Sequence, residues 1–100
     1  MQLVITEPAE ADLKNIFSYI AAQNIRAAER VYREIMFAAK RLLEFPNIGK
    51  TGRVTNTFEF LLADLPYMLV YRATKEEIVL LAIFHSKMDL RKQIQNRNNS

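Results

Sequence analysis

The sequence predicts an α+β domain in which an N-terminal strand and a helical hairpin pack on an antiparallel β-sheet, followed by a short C-terminal helix or tail. Three observations lead there. Two consecutive stretches carry apolar residues at helical spacing. Three later stretches are rich in β-branched, aromatic and other apolar residues. The joints between those strands are too short for a parallel crossover, which needs a dozen or more residues. One hundred residues, half hydrophobic and a quarter charged, supply a single core, so residues 1–100 read as one domain.

Leu3, Val4 and Ile5 form a short apolar run that ends at Thr6-Glu7-Pro8. Proline is tolerated in a first helical turn and Thr6 stands where an N-cap belongs. Leu13, Ile16, Phe17 and Ile20 then recur at i, i+3, i+4, i+7, with Asp12, Lys14, Asn15 and Ser18 on the other side, which predicts a helix over 8–22. Asn24 offers a second cap. Ala28, Val31, Tyr32, Ile35, Ala39 and Leu42 repeat the helical spacing until Phe45, which precedes Pro46 and is pushed away from helical dihedrals. So short a break between the helices predicts an antiparallel hairpin.

From Pro46 to Asn56 the chain turns to Pro, Asn, Gly and Thr, with Lys50 and Arg53 and no acidic group until Glu59. This is a modestly basic loop. Strands are predicted over 58–63, 67–73 and 78–84, joined by Asp64-Leu65-Pro66 and Thr74-Lys75-Glu76-Glu77. In the last strand Val79, Leu81 and Ile83 point one way and Ile78, Leu80 and Ala82 the other. Apolar residues on both sides place that strand inside the sheet. One sheet face meets the helices, and the other needs a cover, either the C-terminal tail or a partner. The N-terminal strand is expected to join the same sheet.

Composition excludes several function classes. The chain has no Cys and one His, which removes disulfides, thiol nucleophiles and thiolate metal sites and leaves neither metal nor cofactor expected. Its apolar runs are broken before membrane-spanning length and its first residues lack a basic-apolar leader, so a cytoplasmic protein with no membrane partner is expected. The formal charge is +3, with the excess gathered after His85 in Lys87, Arg91, Lys92 and Arg97. A polyanion or an acidic protein surface is the partner such an excess suits.

Several single residues suit either a chemical or a blander structural role. Gly49-Lys50-Thr51 echoes a phosphate-binding loop, yet Glu44 stands where the upstream glycine is required. Glu7, Glu10 and Asp12 sit at a helix start, where the helix dipole favours carboxylates. Tyr67 and Tyr71 share a strand face and read as core packing. His85 closes the last strand, a place suited to a general acid or base. Arg72 is the single charge in its strand, with an ion pair to Glu77 as its plain role. If Lys75-Glu76 is a two-residue turn, Arg72 faces Val79 while His85 lies beside Tyr67, roughly 20 Å away at about 3.3 Å per residue. That is too far for one catalytic cluster. The segment before Phe58, with Arg53, is carried toward the Arg72 end.

Together these pieces resemble the RelE/ParE superfamily of type II toxin–antitoxin systems. The resemblance rests on Ala11-Asp12-Leu13 with Ile16 and Tyr19-Ile20, on Ala27-Ala28, and on Phe45-Pro46-Asn47-Ile48-Gly49 with Gly52-Arg53-Val54. Two further pieces are Pro66-Tyr67-Met68-Leu69-Val70-Tyr71-Arg72 and Ile83-Phe84-His85. It implies a toxin neutralised by a cognate antitoxin. It also implies one of two targets: DNA gyrase, inhibited without catalysis as by ParE-like members, or the ribosome with its mRNA, cut by RelE-like ribonucleases. The helix-hairpin pieces are more similar to ParE, and the lysine-dense strand of the RelE type is missing. For a ribonuclease, the resemblance makes His85, Arg53 and Arg72 the catalytic candidates. For a gyrase inhibitor, Lys87, Met88, Leu90 and Arg91 are the target-binding candidates, on a stretch where Ser86 can cap a short final helix.

Overall fold

The computed structural model describes residues 1–86. The elements run β1 (Gln2–Ile5), α1 (Glu7–Ala21), α2 (Ile25–Glu44), β2 (Lys50–Thr51), β3 (Phe58–Leu61), β4 (Tyr67–Ala73) and β5 (Glu77–His85), the expected order with the short β2 added. The final helix or tail, with Lys87, Met88, Leu90 and Arg91, lies outside the described residues.

Local chemistry sets the helix ends. Thr6 accepts the Ala9 amide on its hydroxyl, and Pro8 falls in the first turn, where its missing N–H costs nothing. Asn24 Oδ1 accepts the Ala27 amide at 3.1 Å. At the other end of α2, Phe45 leaves helical dihedrals (φ −130°, ψ 71°) ahead of Pro46.

The sheet has five strands in the order β1-β5-β4-β3-β2. Strands β3 to β5 are antiparallel as expected and β2 joins them antiparallel, but β1 runs parallel to β5, with Gln2 opposite Glu77 and Ile5 opposite Leu80. The sheet is therefore mixed rather than antiparallel. The helical hairpin is the crossover that parallel pairing requires, and a partner seventy-odd residues away leaves no local sign of its direction. The two-residue β2 lies inside the predicted loop, where Lys50 pairs with Glu59 and Thr51 with Phe58.

A second difference lies in β5. Val70 pairs with Ala82 but Tyr71 pairs with Leu80, so Leu81 is an extra residue, a β-bulge. The simple alternation expected for this strand fails there. Ile78, Leu80 and Ile83 all join Leu13, Ile35, Ala39, Leu42, Leu69 and Tyr71 in the core beneath the helices. Ala82 and Phe84 gather instead with Met68 and Val70 in a separate buried cluster on the opposite sheet face.

The bulge is held from α1. Asp12 Oδ2 accepts the Ile83 amide at 2.9 Å, and the Thr6 hydroxyl donates to the Leu80 carbonyl at 2.9 Å. Asp12 is therefore more than a carboxylate placed for the helix dipole: it satisfies the backbone donor of Ile83, two residues past the bulge. Glu7 and Glu10 are exposed, as that simpler role requires.

Candidate functional site

Two corners of the sheet hold the polar residues singled out above. At one corner Tyr67 stands opposite His85 across the β4–β5 pair. Their rings meet edge to face, with centroids 5.5 Å apart and planes at 82°. Tyr67 is buried and packs in the helix-side core, and His85 is half-buried. Burial pushes the Tyr67 hydroxyl above its ordinary pKa, and the exposed Tyr19 on α1 adds a smaller rise by like-charge repulsion. Tyr19, Tyr67 and His85 thus form one aromatic corner.

At the opposite corner Arg72 is exposed and faces Val79. No ion pair joins it to Glu77 among the described residues. Phe58 pairs with Tyr71, so the chain leading into β3 lies at the Arg72 end. There the Gly52 amide donates to the Thr57 carbonyl at 2.7 Å and the Arg53 amide donates to Glu59 Oε2 at 2.9 Å. The fold brings Arg53 and Arg72 to one end of the sheet and leaves His85 at the other.

The basic loop is organised by two residues whose roles the sequence concealed. Glu59 is only 3% exposed although it alternates with Phe58 and Phe60. Tyr71 is fully buried, donates from its hydroxyl to the Pro46 carbonyl at 2.9 Å and accepts the Gly49 amide at 3.0 Å. A Cβ on Gly49 would stand 2.8 Å from that hydroxyl and 2.9 Å from the Glu59 carbonyl oxygen, so glycine is needed for the close approach. The shared face of Tyr67 and Tyr71 was readable from alternation. The loop that Tyr71 captures was not.

Burial raises the Tyr71 pKa, opposed in part by the Gly49 amide that donates to its oxygen. A folded value above the unfolded one means that the unfolded chain gives up the proton first. The associated stability is complete below the ordinary tyrosine range, about 10, and is lost as pH rises through the folded value. Unfolding free energy, followed by urea titration at stepped alkaline pH, is expected to fall more steeply in the wild type than in Tyr71→Phe. Parallel profiles would show that Tyr71 does not titrate this way.

Two grooves flank α2. One is lined by Ile5, Leu13, Phe17, Tyr32 and Met36 with Glu10 and Lys14 at its margin. The other runs between α2 and the β3–β4 turn, lined by Arg33, Phe37, Arg41, Phe60, Leu62 and Leu65 among others. Among the described residues no group of three or more acidic, His or Cys side chains is placed to hold a metal ion.

The profile of the family described as ParE toxin of the type II toxin–antitoxin system, parDE, matches residues 3–90. The chain belongs to that family. Among its relatives, the toxin candidate Y4kP of Sinorhizobium fredii is 36% identical over 74% of this chain and 76% of its own. Toxin ParE3 of Caulobacter vibrioides is 24% identical over 93% and 94%. A solved structure of the chromosomal ParDE TA system from P. aeruginosa superposes with a TM-score of 0.79 at 26% identity, covering 87% of this chain and 97% of that one. The isolated E. coli RelE toxin superposes less closely, with a TM-score of 0.55 at 15% identity over 98% and 97% of the two chains, which marks a common fold alone. Membership of the ParE family makes this chain the toxin half of a toxin–antitoxin pair, and an antitoxin its partner. No helix among the described residues of this ParE-family toxin is long and apolar enough to cross a membrane.

Proposed function

We propose that this chain inhibits DNA gyrase by protein–protein contact and that its antitoxin relieves the inhibition. The supporting observation is the distribution of its polar groups. Cleaving RNA needs a general acid or base and phosphate-binding cations within hydrogen-bonding reach of one phosphate. Here His85 pairs with Tyr67 at one end of the β4–β5 hairpin, while Arg72 faces Val79 near its turn. Arg53 lies toward the Arg72 end of the sheet, away from His85. A binding inhibitor has no need to gather these groups. The target contact proposed from the sequence, Lys87, Met88, Leu90 and Arg91, lies outside the described residues and belongs to the same reading.

The His85–Tyr67 corner favours a second reading, a ribosome-dependent ribonuclease in which His85 moves the proton. One experiment separates them: DNA supercoiling by purified gyrase with and without the toxin, beside a ribosome-programmed mRNA cleavage assay that includes His85→Ala. Lost supercoiling with intact mRNA, unchanged in His85→Ala, is the expected result. Cleaved mRNA that depends on His85, with gyrase unaffected, would reverse the order of the two readings.

A further inference from the structure

The outer face of α2 carries a feature that helix packing does not require. Arg26, Arg30, Arg33, Phe37, Lys40 and Arg41 are all exposed, and at about 100° per residue they fall on one side of a helix roughly 30 Å long. Phe37 sits amid them with 66% of its surface in solvent. An outward helix position is ordinarily polar. Arg33, Lys40 and Arg41 lie within one turn of that ring, and none is in an ion pair among the described residues, whereas Arg30 is engaged by Glu34 at 3.4 Å. Four residues beyond Arg41, Phe45 is half-exposed, with the Arg41 guanidinium 5.7 Å from its ring centroid. Beside this ladder the groove toward β3 is floored by Phe60, Leu62 and Leu65.

Arginine and aromatic residues around an apolar pocket are the composition of protein-interface hot spots. The charge decides the occupant. A second copy of this chain would set the same cations against each other across a two-fold contact. The chain's own residues 87–100 are themselves basic, with four cations against Asp89. A nucleic-acid backbone would meet Glu34 and Asp64, which also line the groove. What remains is a protein segment whose carboxylates flank an apolar side chain, for which arginine's planar fork is suited.

We infer that the α2 face of Arg33, Phe37, Lys40 and Arg41 docks an acidic, apolar-centred surface of the gyrase target. The inference rests on the reading of this chain as a gyrase inhibitor. Phe37 fills a pocket on the partner while the cations steer encounter and hold carboxylates. Because all four side chains are exposed, their replacement leaves the core intact.

The test compares the wild type with Phe37→Ala, with the double variant Arg33→Glu/Arg41→Glu, and with Lys14→Glu on α1 as a control. Each is measured for inhibition of supercoiling by gyrase holoenzyme and for direct binding to it at low and high salt, with circular dichroism confirming the fold. Phe37→Ala is expected to weaken both by roughly tenfold or more. The charge-reversed double variant is expected to abolish inhibition and to flatten the salt dependence, while Lys14→Glu matches the wild type. If the wild type inhibits and both α2 variants inhibit equally well, the assignment of this face is wrong. Equal inhibition with lost rescue by the antitoxin would give the face to the antitoxin and overturn the proposal. A wild-type chain that leaves gyrase untouched would instead overturn the underlying reading, and the gyrase assignment with it.

Discussion

Replacing Tyr71 with alanine is expected to cost about 3–5 kcal/mol, the range for removing a buried aromatic side chain. The ring is fully buried, stacks on Phe58 with centroids 5.5 Å apart, and packs in the core beneath the helices. Its hydroxyl is also the tie that holds the Pro46–Gly49 turn onto the sheet. Small domains are stable by roughly 5–15 kcal/mol, so the variant stands near the edge of folding. Tyr71→Phe separates the two contributions. It keeps the packing but leaves a backbone carbonyl and an amide without their partner, for an expected loss of about 1–3 kcal/mol. Denaturant unfolding of the three proteins checks both numbers. A phenylalanine variant as stable as the wild type would mean that water replaces the hydroxyl and that the turn is held by other contacts.

Asp12→Ala is expected to lower stability by about 1–3 kcal/mol, because the Ile83 amide in the bulged strand then loses its acceptor. The effect has a local signature that the loss of a helix-dipole interaction lacks: faster hydrogen exchange at the Ile83 amide. Asp12→Asn retains a side-chain oxygen at the same place and is expected to restore most of the protection. Unchanged exchange at Ile83 in the alanine variant would show that the bulge is maintained without Asp12. The consequence reaches the aromatic corner, since the residue inserted at Leu81 is what places His85 in line with Tyr67 after Ile83 has turned toward the helices.

Both residues mark the boundary between what local sequence chemistry dictates and what long-range contacts decide. The capping roles of Thr6 and Asn24 and the stop at Phe45-Pro46 depend on dihedral limits and hydrogen bonds within a few residues, and the structure has them as expected. Counting through a short turn puts His85 beside Tyr67, and the bulge at Leu81 brings the two directly opposite each other. Asp12 looked like one of three carboxylates at a helix start, and Glu59 like the polar half of an alternating strand. Their partners are the Ile83 amide seventy-one residues away and the Arg53 amide across a turn. No periodicity marks such contacts.

The sequence by itself determined the helical hairpin, the antiparallel β3–β4–β5 meander, the absence of cysteine chemistry and the family, because each follows from local dihedral preference, alternation or ordered motifs. Tertiary structure alone decided that β1 enters parallel to β5, that Leu81 bulges and turns Ile83 toward the helices, and that Tyr71 gathers the basic loop. These are long-range pairings, settled by which backbone donors and apolar faces find partners once the chain has collapsed. The cationic ladder around Phe37 belongs to both levels. Its spacing was present in the sequence of α2, but only the packed fold shows that the ring is left outside the core.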